Sequence, residues 1–339
     1  MVKEPDIIFT LLRTAITGET PDLPKMSANQ WWGLFRLLQH NHVGAMCATA
    51  VAKTDAPRDV LVPWMAEQQK SMEWYKYQQK VQDEIVETLQ HHRIETLVLK
   101  GTHTAQYYPI AEWREFGDLD LYFYDKHDEA DIIVHKALKA EINNDAHHHT
   151  KYNHRGVTVE SHYDFLNIHY PPSNRRYERL LKELAPSPTF EVLFLLRHMA
   201  CHFAASRITL RDLVDWMLTC RALADKVDWK QVHETIKTYG MEDFAAAICH
   251  ICETRLGGRF VLNIQHFNDW KTVEHDTIYG GKNTTDGAAD GLSRLGWKLR
   301  RWQATGWKRR MVYNDTPAQL LLASITSHSL KPQSILHKM

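Results

Sequence analysis

Gly117-Asp118-Leu119-Asp120-Leu121-Tyr122-Phe123 is the stretch on which the fold turns. Its apolar residues recur every second position, the period of a strand, so Leu119, Leu121 and Phe123 face a core and Asp118 and Asp120 face the other way, about 7 Å apart along the backbone. Two like charges side by side on one strand face repel, and aspartate is a poor strand former. A hard divalent cation held between them is the usual reason for such a pair, the bland alternative being a solvated strand face.

On the N-terminal side, Thr96-Leu97-Val98-Leu99 is a short apolar run that ends at Lys100-Gly101, a buried strand and its turn. Thr102 to Tyr108 follows as a short helix stopped by Pro109. Gly101 permits close backbone approach and the helix start offers N–H groups to a phosphate, with Thr102 adding a hydroxyl and Lys100 a cation. On the C-terminal side, Phe116 to Tyr124 continues the aspartate strand, and Asp128 to Ala140 reads as a helix. Tyr152 to His162 reads as another strand, preceded by one near His147 to Thr150. In Gly156 to Phe165, Val157 and Val159 take the core side and Thr158, Glu160 and His162 the other. If that strand neighbours the first, Glu160 joins Asp118 and Asp120, and three carboxylates on one sheet face suit two Mg²⁺ ions in phosphoryl transfer. The order β-α-β-α-β-β defines a unit over residues 93–172.

Helical periodicity surrounds this unit. In residues 1–92, Asp6 to Ile16, Asn29 to Ala52 and Val62 to His92 are helical stretches, with Trp31, Trp32, Leu34, Leu37, Leu38, Val43 and Met46 on an expected buried face. Residues 173–278 form a C-terminal helical region, with helices over Pro188 to Phe203, Leu210 to Ala224, Trp229 to Tyr239 and Met241 to Leu256. Residues 279–339 hold a Gly/Asn/Asp-rich loop, a basic Trp-rich helix and a tail. The expected class is α+β, a small mixed sheet flanked by helices on both sides in sequence.

The chain has 339 residues and balances 41 basic against 41 acidic side chains, which excludes coating nucleic acid by bulk charge. Five cysteines without framework spacing suit a reduced compartment, and Cys249-His250-Ile251-Cys252, on a helical pattern, reads as buried thiols rather than a metal pair. The N-terminal residues have no leader pattern, and no apolar run approaches the ~20 residues of a membrane span, so a soluble cytoplasmic protein is expected.

Several residues allow more than one reading. Arg114 could neutralise a triphosphate or pair with Glu112 or Glu115. His162 could serve as a general base, a partner of the carboxylates or a structural histidine. His198 and His202 have zinc-pair spacing but no glutamate between them, which favours a core or cleft-lining role. Arg211, Asp212 and Asp215, at a helix start, could contact the nucleotide or acceptor or serve as a helix cap and salt bridge, the latter favoured. His147-His148-His149 reads as an exposed turn or strand end. Residues 293–310 carry Trp297, Trp302 and Trp307 among basic residues with no acidic one, so they suit a polyanion such as RNA or a helix that packs on the body.

A strand leading to Gly-Thr and a helix, then Asp-x-Asp on a strand and a later acidic strand, resembles the polymerase-β-like nucleotidyltransferases. More narrowly, LVLKG (97–101), YYP (107–109), WREFGDLDLYF (113–123) and VTVESHYDF (157–165) resemble an uncharacterised nucleotidyltransferase family with a Lys-Gly motif, and the helical flanks WWGLFRLLQHNHVGAM (31–46), LLRHMACHF (195–203) and ITLRDLVDW (208–216) resemble its helices. Thr102 stands where the wider superfamily has Ser or Gly, and the interval from Gly101 to Asp118 is longer than in its smallest members. The resemblance implies Asp118, Asp120 and Glu160 as catalytic metal ligands for Mg²⁺ or Mn²⁺. Lys100, Gly101, Thr102 and Arg114 would face the triphosphate. The donor would be an NTP, ATP by abundance, and the acceptor a small molecule, protein or RNA. The alternatives are a non-catalytic nucleotide sensor and an RNA-binding protein on the same fold.

Overall fold

The computed structural model describes residues 3–143, 148–262, 264, 267–280, 300 and 302–327. They fold as an α+β protein with one four-stranded mixed sheet among many helices. Two compact units divide the chain. One holds Thr14–Pro186 with the described residues from Asp315 on, and the other Ser187–Asn314 with those up to Arg13.

After α1 (Glu4–Thr17) the first unit builds α2 (Ala28–His40), α3 (Gly44–Val51) and the 34-residue α4 (Arg58–His91). Ser27 opens α2 with a reciprocal capping box to Gln30. The single helix expected over Asn29 to Ala52 is two helices. The chain turns at Asn41-His42-Val43, where His42 takes φ 55° and the Asn41 amide donates to the Leu37 carbonyl at 2.9 Å. The apolar pattern runs unbroken across this corner because α4 receives the start of α3 as well. Trp64 and Gln68 of α4 donate to the Gly44 and Ala45 carbonyls at 2.8 and 2.7 Å, and Trp64 also meets Trp31 of α2 edge to face.

The sheet comprises β1 (Leu97–Val98), β2 (Asp118–Tyr122), β3 (His149–His154) and β4 (Val157–His162) in the order β1-β2-β4-β3. Strands β2 and β4 are parallel and the outer pairs antiparallel. Between them lie α5 (Thr102–Ala105) and α6 (His127–Leu138). Leu119, Leu121, Phe123, Val157 and Val159 bury against Val81, Ile85 and Leu89 of α4 and Ala130 and Val134 of α6. Alternation therefore gives the Asp118, Asp120 and Glu160 side chains to the opposite face.

The one strand expected over Tyr152 to His162 is a hairpin. Arg155 and Gly156 take φ 51° and 82°, and two positive φ values in a two-residue loop are those of a type I′ turn, whose twist matches that of the strands. The Asn153 side chain accepts from the Gly156 N–H at 2.9 Å. Strand β2 is shorter than the span Phe116 to Tyr124, since Tyr124 and Asp125 turn out at φ 45° and 67°. The helix α7 (Asn174–Leu184), and α14 (Pro317–Ser327) near the end of the chain, complete this unit.

The second unit is helical: α8 (Pro188–Ala205), α9 (Leu210–Ala222), α10 (Trp229–Thr238), α11 (Glu242–Leu256), α12 (Trp270–Tyr279) and α13 (Gly306–Val312). Cys249 and Cys252 are buried in α11, and burial pushes both thiols up, Cys249 to about 12, so they remain protonated. Within the basic stretch 293–310, Trp307 packs edge to face on Phe203, while Lys308 is buried and ion-paired with Asp276 at 2.5 Å. Arg309 is also buried, its guanidinium 4.2 Å from the Trp302 ring centroid. Arg300 and Arg310 are exposed, while Trp297 and Arg301 lie outside the described residues. Among the described residues no helix is long and apolar enough to cross a membrane.

Candidate active site

Register assembles the polar face of the sheet. Asp120 stands opposite Glu160 across the parallel pair β2–β4, and Lys151 opposite Glu160 across β4–β3. One row of side chains thus reads Asp120, Glu160, Lys151. In the next row His149 stands opposite His162, and in the row before it Asp118 stands opposite Thr158.

Ligand atoms of Asp120, Glu160 and His162 all lie within 4.8 Å of one another. His162 Nε2 is 3.0 Å from Asp120 Oδ1 and 3.7 Å from Glu160 Oε2. Lys100 Nζ stands 3.1 Å from Asp120 Oδ2, and Lys151 Nζ donates to Glu160 Oε1 at 2.7 Å. His149 Nε2 is 3.7 Å from that same Glu160 oxygen.

Electrostatics follow from this packing. Burial raises the Asp118 carboxyl above its ordinary value, and the neighbouring Asp120 and Glu160 charges add to the rise. Burial acts the same way on Glu160, but the Lys151 hydrogen bond and the nearby His149 outweigh it, so this carboxyl falls below the usual range. Burial holds the His149 imidazole down at about 4 despite Glu160 beside it, so it is neutral at pH 7. Three carboxylates in mutual repulsion, two of them converging with an imidazole, form a donor set that fits a divalent cation.

The residues of the preceding turn have definite partners. Gly101 takes φ 61° and ψ −118°, outside the range of L side chains, and a Cβ there would lie 3.4 Å from the Phe116 ring. The helix it opens, α5, is only four residues long. A phosphate there would therefore meet first-turn N–H groups without a sizeable macrodipole. Thr102 Oγ1 donates to Gln82 of α4 at 2.6 Å. Arg114 is buried, donates to the Gly101 carbonyl at 3.3 Å and lies over the Phe116 ring, so it braces the turn. Lys100 is thus brought onto Asp120, whereas Gly101, Thr102 and Arg114 form the supporting turn.

His149 and Lys151 are the site neighbours that the sequence reading missed. Of the two readings of His149, turn or strand end, the strand end holds: it begins β3, half-buried, with its ring 5.5 Å from that of His162. The signal was present in Asn153-His154-Arg155-Gly156. A two-residue turn at Arg155-Gly156 pairs His154 with Val157, and counting back from there sets Lys151 against Glu160 and His149 against His162. His147 lies outside the described residues.

Elsewhere, Asp212 closes a capping box with Thr209 at the start of α9, and His198 and His202 sit ring to ring at 4.4 Å on α8, His198 half-buried and His202 exposed rather than in the core.

The Lys-Gly-Thr turn at the end of β1, the Asp-x-Asp strand and the parallel acidic strand beside it are the elements by which the sequence resembles nucleotidyltransferases. The chain belongs to the uncharacterised nucleotidyltransferase family, whose model matches residues 27–257, more than half of its length. Nucleotidyl transfer is the general chemistry to which that membership points. No curated protein and no solved structure matches the chain.

Proposed function

We propose that the protein transfers a nucleoside monophosphate from a nucleoside triphosphate, with ATP the donor by abundance, to an acceptor hydroxyl with release of pyrophosphate. The observation that supports this most is the register setting Asp120 against Glu160 across two parallel strands, with Asp118 two residues upstream on the same face. Asp118, Asp120 and Glu160 would hold Mg²⁺ or Mn²⁺. Bound there, such ions supply charge neutralisation at the reacting phosphate and polarise the attacking hydroxyl.

The chain's own cations take the complementary part. Lys100 and Lys151 each hold one carboxylate. With that charge met by a divalent ion, the two ammonium groups would be available to triphosphate oxygens. Glu160, held below its ordinary value, keeps its charge at neutral pH. Gly101 and Thr102 would line the triphosphate path, and Arg114 would act through the turn it braces.

The test is label transfer from α-labelled ATP in Mg²⁺ or Mn²⁺ with a cell extract as acceptor source. Product that disappears with Asp120→Asn and with Glu160→Gln supports the proposal, and nucleotide binding without product from the wild-type protein points to a nucleotide sensor. The RNA-binding reading is the weaker one, because Trp307, Lys308 and Arg309 pack inward and leave Arg300 and Arg310 as the exposed cations of the described part of that stretch. It would show as a salt-sensitive RNA shift lost on replacing both.

A further inference from the structure

We infer that His162 is itself a metal ligand, through Nε2, and that the site consequently takes a borderline divalent ion such as Mn²⁺ in preference to Mg²⁺. This rests on the proposed function, because it concerns the same carboxylates, and it goes beyond it by naming a nitrogen donor and the class of ion.

The lysines and the imidazole divide the carboxylate oxygens between them. Lys100 stands against Asp120 Oδ2 and Lys151 against Glu160 Oε1. His162 Nε2 stands against the other oxygen of each, Asp120 Oδ1 at 3.0 Å and Glu160 Oε2 at 3.7 Å. One imidazole nitrogen and one oxygen from each carboxylate therefore lie within 4.8 Å of one another, while the ammonium groups stand against the other two oxygens. Strand geometry fixes this arrangement. Glu160 and His162 are two residues apart on β4 and so share a face, and pairing with β2 brings Asp120 opposite the first of them. The imidazole has little freedom to leave, since its side chain is 11% exposed and His149 is its cross-strand neighbour.

Donor chemistry decides the ion. Mg²⁺ is hard, keeps several waters and favours all-oxygen sites, whereas imidazole nitrogen suits the divalent ions of the first transition series. A set of two carboxylates and one imidazole therefore discriminates toward the latter. His162 would otherwise be an ion-pair partner that merely orients Asp120, and the two roles differ in whether nitrogen touches the metal.

Electron spin echo envelope modulation of the full-length protein loaded with MnCl₂ reads this directly. The expected result is ¹⁴N modulation from one imidazole in the wild type and its loss in His162→Gln with Mn²⁺ still bound. The ratio of Mn²⁺ to Mg²⁺ affinity should fall about tenfold or more in that variant. Labelling the wild-type protein with ¹⁵N-histidine should convert the modulation to the ¹⁵N pattern, which identifies the donor as a histidine without a substitution. Bound Mn²⁺ with no nitrogen modulation overturns the inference and leaves the carboxylate site standing. Modulation that survives in His162→Gln and vanishes in His149→Gln also overturns it, by moving the ligation to His149. Failure of Mn²⁺ to bind at all defeats both the inference and the functional proposal beneath it.

Discussion

Gly101 sits at φ 61° and ψ −118°, a conformation that costs an L side chain on the order of 1–3 kcal/mol. The Cβ of alanine would add contact with the Phe116 ring at 3.4 Å, which is ordinary van der Waals range, so the penalty is one of backbone rather than crowding. Gly101→Ala should therefore lower unfolding stability by about 1–3 kcal/mol in urea titrations, and a loss below about 0.5 kcal/mol would contradict that geometry. Glu178 offers a second test at this scale. Its two oxygens accept from the Phe165 and Leu166 N–H groups at 2.9 and 3.0 Å, and burial lifts its carboxyl from 4.5 to about 7. An acid raised in the folded state is more protonated there than in the unfolded chain, so folding takes up a proton between those two values. This group's contribution is most favourable below 4.5, declines as pH rises through the window and is flat above about 7. Unfolding free energies of the wild type and Glu178→Gln from urea titrations between pH 4.5 and 8 should diverge by up to about 1.4 kcal/mol per pH unit inside the window. Parallel curves would sink this account of Glu178.

The β3–β4 hairpin decides what reaches the site, because a one-residue change of register moves every side chain of a strand to the other face. The turn at Arg155-Gly156 is what brings Lys151 to 2.7 Å from Glu160. Replacing this ammonium with an apolar chain of similar length removes a positive charge that competes with any cation at Glu160. Lys151→Met is therefore expected to bind Mn²⁺ at least about fivefold more tightly, roughly 1 kcal/mol, by calorimetric titration. Unchanged or weaker binding would mean that the ion does not use Glu160. The element scale also explains what could be read in the sequence. The alternation of Gly117 to Phe123 was legible because one face had to be apolar, and Val157 and Val159 likewise disclosed the face of Glu160. The corner at Asn41-His42-Val43 was not legible, since both α2 and α3 bury apolar residues and the pattern crosses the break without interruption. The hairpin turn was obscured by its own residues: Arg155 is an unusual occupant of a positive φ, and His154 and Val157 continue the strand-like texture on either side.

At the scale of the molecule, the parallel pairing of β2 with β4 is the fact that periodicity alone could not supply. Alternation assigns a face to Asp118, Asp120 and Glu160, but only the sheet order β1-β2-β4-β3 makes Asp120 and Glu160 neighbours. Strand β3 at the edge then contributes His149 and Lys151, which have no motif of their own. The helical periods of the second unit were legible over α8 to α11, whereas α12 escaped notice because its charged and buried positions intermix: Glu274 and Asp276 are buried there, paired with Arg255 and Lys308. The basic stretch shows how composition misleads in the same way, for Lys308 and Arg309 are buried although their neighbours in sequence suggest a solvated face.

The central claim is that β2 and β4 together build a divalent-ion site that faces a nucleotide. A crystal of the full-length protein soaked with MnCl₂ and a non-hydrolysable ATP analogue tests it most directly by anomalous scattering. The expected result is an anomalous peak coordinated by Asp120 and Glu160, with triphosphate oxygens completing its coordination. Nucleotide bound elsewhere, or an ion peak away from these two carboxylates, would contradict the claim.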